Sequence, residues 1–205
     1  MDEQALVATR RSLHAVAEQL VAGPQHRAAG TIRLRVTPGG FGGVVPEAPR
    51  VEGSEFVWDG GRTPLSGTLR ELAAAAGLVH GPPVGVYVPA SELDSDDALV
   101  IDVAAAEMLE DWFARGDLAL RALAADVEPV LWPEHFDLGI ALDEVNYGVS
   151  PGDADQARPY GYVGPWTPRT GEFWNAPFGA RRWADDLPDA DAIGAFFEEG
   201  RSLAA

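Results

Sequence analysis

The sequence predicts an α+β fold, an antiparallel or mixed sheet packed against about four helices in a single domain. Three observations carry that expectation. Runs such as Thr31-Ile32-Arg33-Leu34-Arg35-Val36 alternate apolar and charged residues, the pattern of a half-buried strand. Longer stretches near 3–22, 68–76, 103–125 and 191–203 place apolar residues at helical spacing. Short turn-forming clusters join these runs, and no repeat or low-complexity linker interrupts them; the weakest seam falls near 80–100.

Taken in order, the first helix carries Leu6, Leu13, Val16, Ala17, Leu20 and Val21, with Gly23-Pro24 as its expected stop. After the strand at 31–36, Pro38-Gly39-Gly40-Phe41-Gly42-Gly43 reads as a turn. A second strand over 51–58 closes on Asp59-Gly60-Gly61, and a short one is expected near 63–65. Thr68 is placed to cap a helix through Ala76, with Glu71 completing a capping box and Gly77 ending the run. The middle of the chain is punctuated by Pro82-Pro83 and Pro89 around a short strand at 84–88, then an acidic loop over 92–97. Asp102 is the expected cap of a helix reaching about Ala125, with Gly116-Asp117 as the point where it kinks or splits.

From Trp132 the texture changes. Phe136, Leu138, Ile140 and Leu142 alternate with Asp137, Gly139, Ala141 and Asp143, which predicts a strand with one apolar face. Further strands are expected over 145–149 and 159–164, then an aromatic, turn-rich stretch over 166–179 and the closing helix.

Composition removes whole classes of chemistry. With no cysteine there is no disulfide, thiolate zinc site, iron–sulfur cluster or thiol nucleophile. All 15 basic residues are arginine, so a Walker lysine and a pyridoxal Schiff base are excluded, and no cofactor is expected. A formal net charge of −17 repels polyphosphate, so neither nucleic acid nor an anionic membrane is an expected partner. The longest apolar run, residues 72–78, falls far short of the ~20 residues that span a bilayer. The N-terminal residues lack the order of a secretory signal, and a cytoplasmic protein is the expectation.

Familiar motifs fail on inspection. The glycine cluster at 39–43 follows a strand, but Val44-Val45-Pro46 comes next where a phosphate-binding loop needs a helix. An EF-hand loop begun at Asp94 would need glycine at 99 and glutamate at 105; the chain has Leu99 and Ala105. Neither a Gly-x-Ser-x-Gly elbow nor a His-Glu-x-x-His helix occurs.

What remains is concentrated in residues 132–178, which hold nine of the eighteen aromatic residues. Trp132, Tyr147, Trp166 and Trp174 are the expected walls of a small-molecule pocket there. His135, Asp137, Glu144, Asn146 and Asn175 are its expected polar contacts. If 136–142 is a strand, His135, Asp137 and Asp143 share the face opposite Phe136 and Leu138. That arrangement also suits a divalent metal used by a hydrolase or isomerase, with His135, Asp137, Glu144 or Asp153 as ligands. Against both stands the plainer reading: tryptophan and tyrosine fill cores, and turn carboxylates accept backbone N–H groups. Asp153, ending Ser150-Pro151-Gly152-Asp153, and Asn146 are expected to order their surroundings in this way. A third reading makes the aromatics a docking surface, for instance in a homodimer.

Trp132-Pro133-Glu134-His135-Phe136-Asp137-Leu138, residues 144–153 and Phe173-Trp174-Asn175-Ala176-Pro177-Phe178-Gly179 resemble segments of uncharacterised actinobacterial proteins. The resemblance covers the last third of the chain. It implies an actinobacterial cytosolic protein and brings no activity with it.

Overall fold

The structure, a computed structural model, describes residues 2–205. Among these residues the chain forms ten strands in antiparallel pairings and four helical runs, an α+β architecture. No helix among them is long and apolar enough to cross a membrane. Contacts divide the chain into two units. One runs to Asp111 and takes in Leu131–Phe136; the other comprises Trp112–Val130 and Asp137–Ala205. The seam expected near 80–100 therefore lies inside the first unit.

The first unit opens with α1 (Glu3–Val16), capped by the Asp2 carboxylate on the Gln4 amide. The helix does not stop at Gly23-Pro24. It widens to a π-helical turn over Ala17–Ala22, with the Gly23 N–H reaching back to the Glu18 carbonyl, and resumes as α2 (Gly23–Ala29). Proline lacks the N–H a helix interior needs, and here Pro24 sits where a helical segment restarts and that loss is tolerated. Gly23 is required by packing, because a Cβ there would meet the Gly81 carbonyl oxygen at 1.8 Å.

The strands of this unit are β1 (Leu34–Thr37), β2 (Gly40–Gly43), β3 (Arg50–Glu52), β4 (Glu55–Trp58), β5 (Gly61–Pro64) and the short β6 (Val130–Trp132). They lie in the order β6-β1-β2-β3-β4-β5, with Leu34 opposite Leu131. The glycine cluster read as a turn is largely the strand β2, buried along its length. A Cβ at Gly40 would strike the Val51 carbonyl at 2.4 Å, and one at Gly42 would meet the Arg50 Cβ at 2.6 Å. These glycines serve a close approach of strands, which composition alone does not separate from a turn. The expected strand at 51–58 is a hairpin, β3 and β4, turning at Gly53 with φ +57°. The capping box on α3 (Leu69–Ala76) forms as read, with Thr68 and Glu71 exchanging bonds and Gly77 left-handed at φ +66°. Residues 84–88 form no strand; the stretch is turn and loop.

Helix α4 (Val103–Leu123) starts at Asp102, whose Oδ1 accepts the Ala105 N–H at 2.9 Å. It runs through Gly116 without dividing; glycine there admits Val149, whose side chain lies 2.3 Å from a Cβ built at that position. In the second unit β7 (Asp137–Leu142), β8 (Val145–Ser150), β9 (Tyr160–Pro165) and β10 (Ala180–Trp183) form an antiparallel meander. Helix α5 (Ala190–Ala204), capped by Asp189, covers one face of it. Gly200 admits Val163 against the helix backbone, and Phe197 meets Tyr147 edge to face at 5.9 Å.

Candidate functional site

Strand register in the second unit sorts its side chains into two faces. Gly139, Gly148, Tyr162 and Arg181 stand opposite one another across four strands. Ser150, Tyr160 and Trp183 form the adjacent row on the same face. The two glycines leave room for Tyr162 to lie along the sheet. A Cβ on Gly139 would come within 2.6 Å of its hydroxyl, and one on Gly148 within 2.4 Å. Lying there, Tyr162 donates its O–H to Asp137 Oδ2 at 2.5 Å.

A second phenol repeats the arrangement. Tyr160 donates to Asp153 Oδ2 at 2.7 Å, while Asp153 Oδ1 accepts the Asp155 and Gln156 amides at 2.8 Å each. The order expected at Asp153 is thus built from named bonds. Burial pushes the Tyr162 phenol well above its ordinary pKa, and the Asp137 charge adds to the shift. Burial, then the bond to Asp153, raises Tyr160 as well. Both phenols remain proton donors at neutral pH. They hold their carboxylates in place and do not act as bases.

Around this pair the rings continue. Tyr160 stacks on Phe178 at 6.1 Å and meets Trp183 edge-on at 6.3 Å, and Tyr162 meets Phe178 at 6.4 Å. Phe178 is 43% exposed, so the cluster has an outer aromatic surface. The Arg181 guanidinium lies over Trp183 at 4.1 Å and over Tyr160 at 5.9 Å.

The nine expected contact residues fall in different places. Asp137 is on this face, bonded as described. Asn146 shares the face but is exposed, and its Oδ1 accepts the Trp166 indole N–H at 3.1 Å; Trp166 itself is 62% exposed. Glu144 occupies the two-residue β7–β8 hairpin with Asp143, both left-handed at φ +61° and +52°. Asp143 is therefore a turn residue, paired with Arg201 at 3.3 Å, and not a strand partner of Asp137. Tyr147 is on the opposite face, fully buried against Phe197. Trp174 packs on Phe173 at 4.8 Å, away from the tyrosines. Asn175 brackets the Arg181 backbone, accepting its N–H at 2.9 Å and donating to its carbonyl at 3.1 Å. Trp132 and His135 belong to the first unit, where Trp132 lies under Arg33 and His135 is exposed in a turn. The strand alternation expected through His135 breaks at Phe136, whose φ is +51°. Among the described residues, no three His, Cys, Asp or Glu side chains come together to hold a metal ion.

The first unit has a polar cluster that the sequence reading missed. Glu18, fully buried at the π-helical turn, accepts the Ala90 amide at 3.0 Å, the Ser91 amide at 3.1 Å and the Ser91 hydroxyl. Gln19 adds bonds to Ser91 Oγ at 3.2 Å and the Leu93 carbonyl at 2.9 Å. One turn earlier, His14 stacks on Phe136 at 5.4 Å, and its Nε2 donates to the Pro133 carbonyl at 2.7 Å. Burial lowers the His14 pKa, and the ring is a neutral donor. The Tyr87 phenol lies beside Glu18 and Glu134, and burial raises it far above the ordinary range. The available signal was position: Glu18 sits between Ala17 and Leu20 on the helix face that carries the apolar residues.

The sequence matches no family model, no curated protein and no solved structure.

Proposed function

We propose that this protein binds a small planar molecule on the tyrosine face of its second unit, within and just beyond residues 132–178. The observation that carries the reading is the row of ring side chains laid out by β-register beside two carboxylates already fixed by phenols. Pockets for small organic ligands combine such apolar rings with a few oriented polar groups. Here buried Tyr160 and half-buried Tyr162 form the floor, and Phe178 and Trp183 the outer rings. Glycine at 139 and 148 is what allows the floor to lie flat.

Saturation-transfer NMR with a library of planar aromatic fragments tests the reading directly. Fragments are expected to bind the native protein and to weaken when Phe178 becomes alanine, since ring pairs contribute ~0.5–1.5 kcal/mol beyond buried area. Phe178 is partly exposed, and a melting curve establishes that the variant is folded. If no fragment binds, or if bound fragments ignore Phe178→Ala, the reading fails.

A further inference from the structure

On this molecule arginines are mostly neutralised. Eight of them pair with carboxylates, including Arg158 with Asp185 at 2.5 Å and Arg182 with Glu199 at 2.6 Å. Arg181 differs. Its backbone is clamped by Asn175 and its guanidinium lies on Trp183, yet no carboxylate or carbonyl among the described residues bonds that guanidinium. In a chain of net charge −17, carboxylates that could have neutralised it are abundant. The two carboxylates of the face already accept bonds. Asp153 accepts two amides and a phenol, and Asp137 accepts the Tyr162 phenol. Among the described residues, the Arg181 guanidinium gives this face cationic donors that no carboxylate bonds.

We infer that the ligand of this face is a planar aromatic carboxylate, its ring against Phe178 and Trp183 and its carboxylate on the fork of Arg181. The inference rests on the planar-ligand reading above and adds the charge. Guanidinium presents parallel N–H donors that match a carboxylate bidentately, and stacking on indole fixes the plane of the fork. A monoanion is favoured over a phosphate dianion, because Asp137 and Asp153 line the same face and repel each added negative charge.

Matched probes separate the two levels of the claim. Indole-3-carboxylate and benzoate are titrated against indole-3-carboxamide and benzamide, with benzyltrimethylammonium as the cationic counterpart. The native protein should prefer each carboxylate over its carboxamide by about tenfold or more, the value of one charge-assisted pair. Arg181→Met, which keeps the aliphatic stem, should abolish that preference while the carboxamides bind as before. A melting curve establishes that this variant is folded, and the carboxylate–carboxamide comparison on the native protein needs no variant at all. Equal binding of acid and amide, a preference that survives Arg181→Met, or tighter binding of the ammonium probe overturns the charge assignment alone. Binding of none of the probes, together with an empty fragment screen, overturns the planar-ligand reading beneath it.

Discussion

Glu18 in the first unit and the Asp137–Asp153 pair in the second are carboxylates drawn out of water, but their donors come from different sources. Glu18 is satisfied mainly by backbone and serine groups of residues 90–91, a segment without regular structure that it fastens to the helix. Asp137 and Asp153 each accept a phenol whose ring lies in an aromatic row open at Phe178, and Asp153 also accepts the Asp155 and Gln156 amides. A carboxylate bonded to main chain fixes a path of the chain. A carboxylate bonded to phenols fixes the orientation of rings, and rings are surfaces on which another molecule can rest. The contrast suggests that Glu18 serves stability and the aspartates serve the site.

The largest effect that would break this comparison belongs to Glu18. Glu18→Ala strips two amides and a hydroxyl of their acceptor inside the protein, and bonds to a charged group contribute ~1.5–3 kcal/mol each. The expected loss is about 3 kcal/mol or more of unfolding free energy in urea, with rapid hydrogen exchange at the Ala90 and Ser91 amides. An unchanged urea midpoint with protected amides would show that residues 90–91 are held by something else.

Tyr162→Phe comes next and bears on the other side of the contrast. Phenylalanine still fits over Gly139 and Gly148, so only the bond to Asp137 is lost. The expected cost is ~1–3 kcal/mol, below that of Glu18→Ala, because one donor is removed in place of one acceptor of three bonds. In the fragment titrations this variant should keep ring binding, since the ring remains. A stability loss as large as that of Glu18→Ala would erase the distinction between fastener and floor.

Local rules made much of the fold legible and little of the site. Thr68, Glu71 and Gly77 specify α3 because a capping box and a left-handed stop act within a few residues. Alternation located β1 and β7 for the same reason. Gly42 was misread as a turn and no split occurs at Gly116, because the close neighbours of these glycines, Arg50 and Val149, lie elsewhere in the chain. The site has that same character. Tyr160 and Tyr162 are visibly two apart, but only register puts Gly148 and Arg181 in line with Tyr162, and register is set by pairing. Conversely Trp166 and Tyr147, conspicuous as aromatics, went one to solvent and one to the core. Aromatic density in a sequence marks where rings are, and the sheet decides which face they share.

The smallest expected effect uses the same chemical change on the opposite face of the same sheet. Tyr147 is fully buried between β8 and α5, and its hydroxyl has no hydrogen-bond partner among the described residues. Burial raises its pKa, so the group is a neutral phenol enclosed by side chains. A buried polar atom without a partner costs ~1–3 kcal/mol of desolvation that nothing returns. Removing it should therefore leave stability unchanged or raise it, by up to about 1 kcal/mol once the small lost volume is counted. Tyr147→Phe and Tyr162→Phe delete a phenolic oxygen from opposite faces of the sheet, Tyr162 from a bonded pair and Tyr147 from an unpaired position. Urea unfolding of the two variants side by side should show opposite or clearly unequal shifts. A loss above about 1 kcal/mol for Tyr147→Phe would mean that this hydroxyl has a bonded partner in solution, such as an enclosed water. The core face would then be as polar as the tyrosine face, and burial alone would no longer tell the two apart.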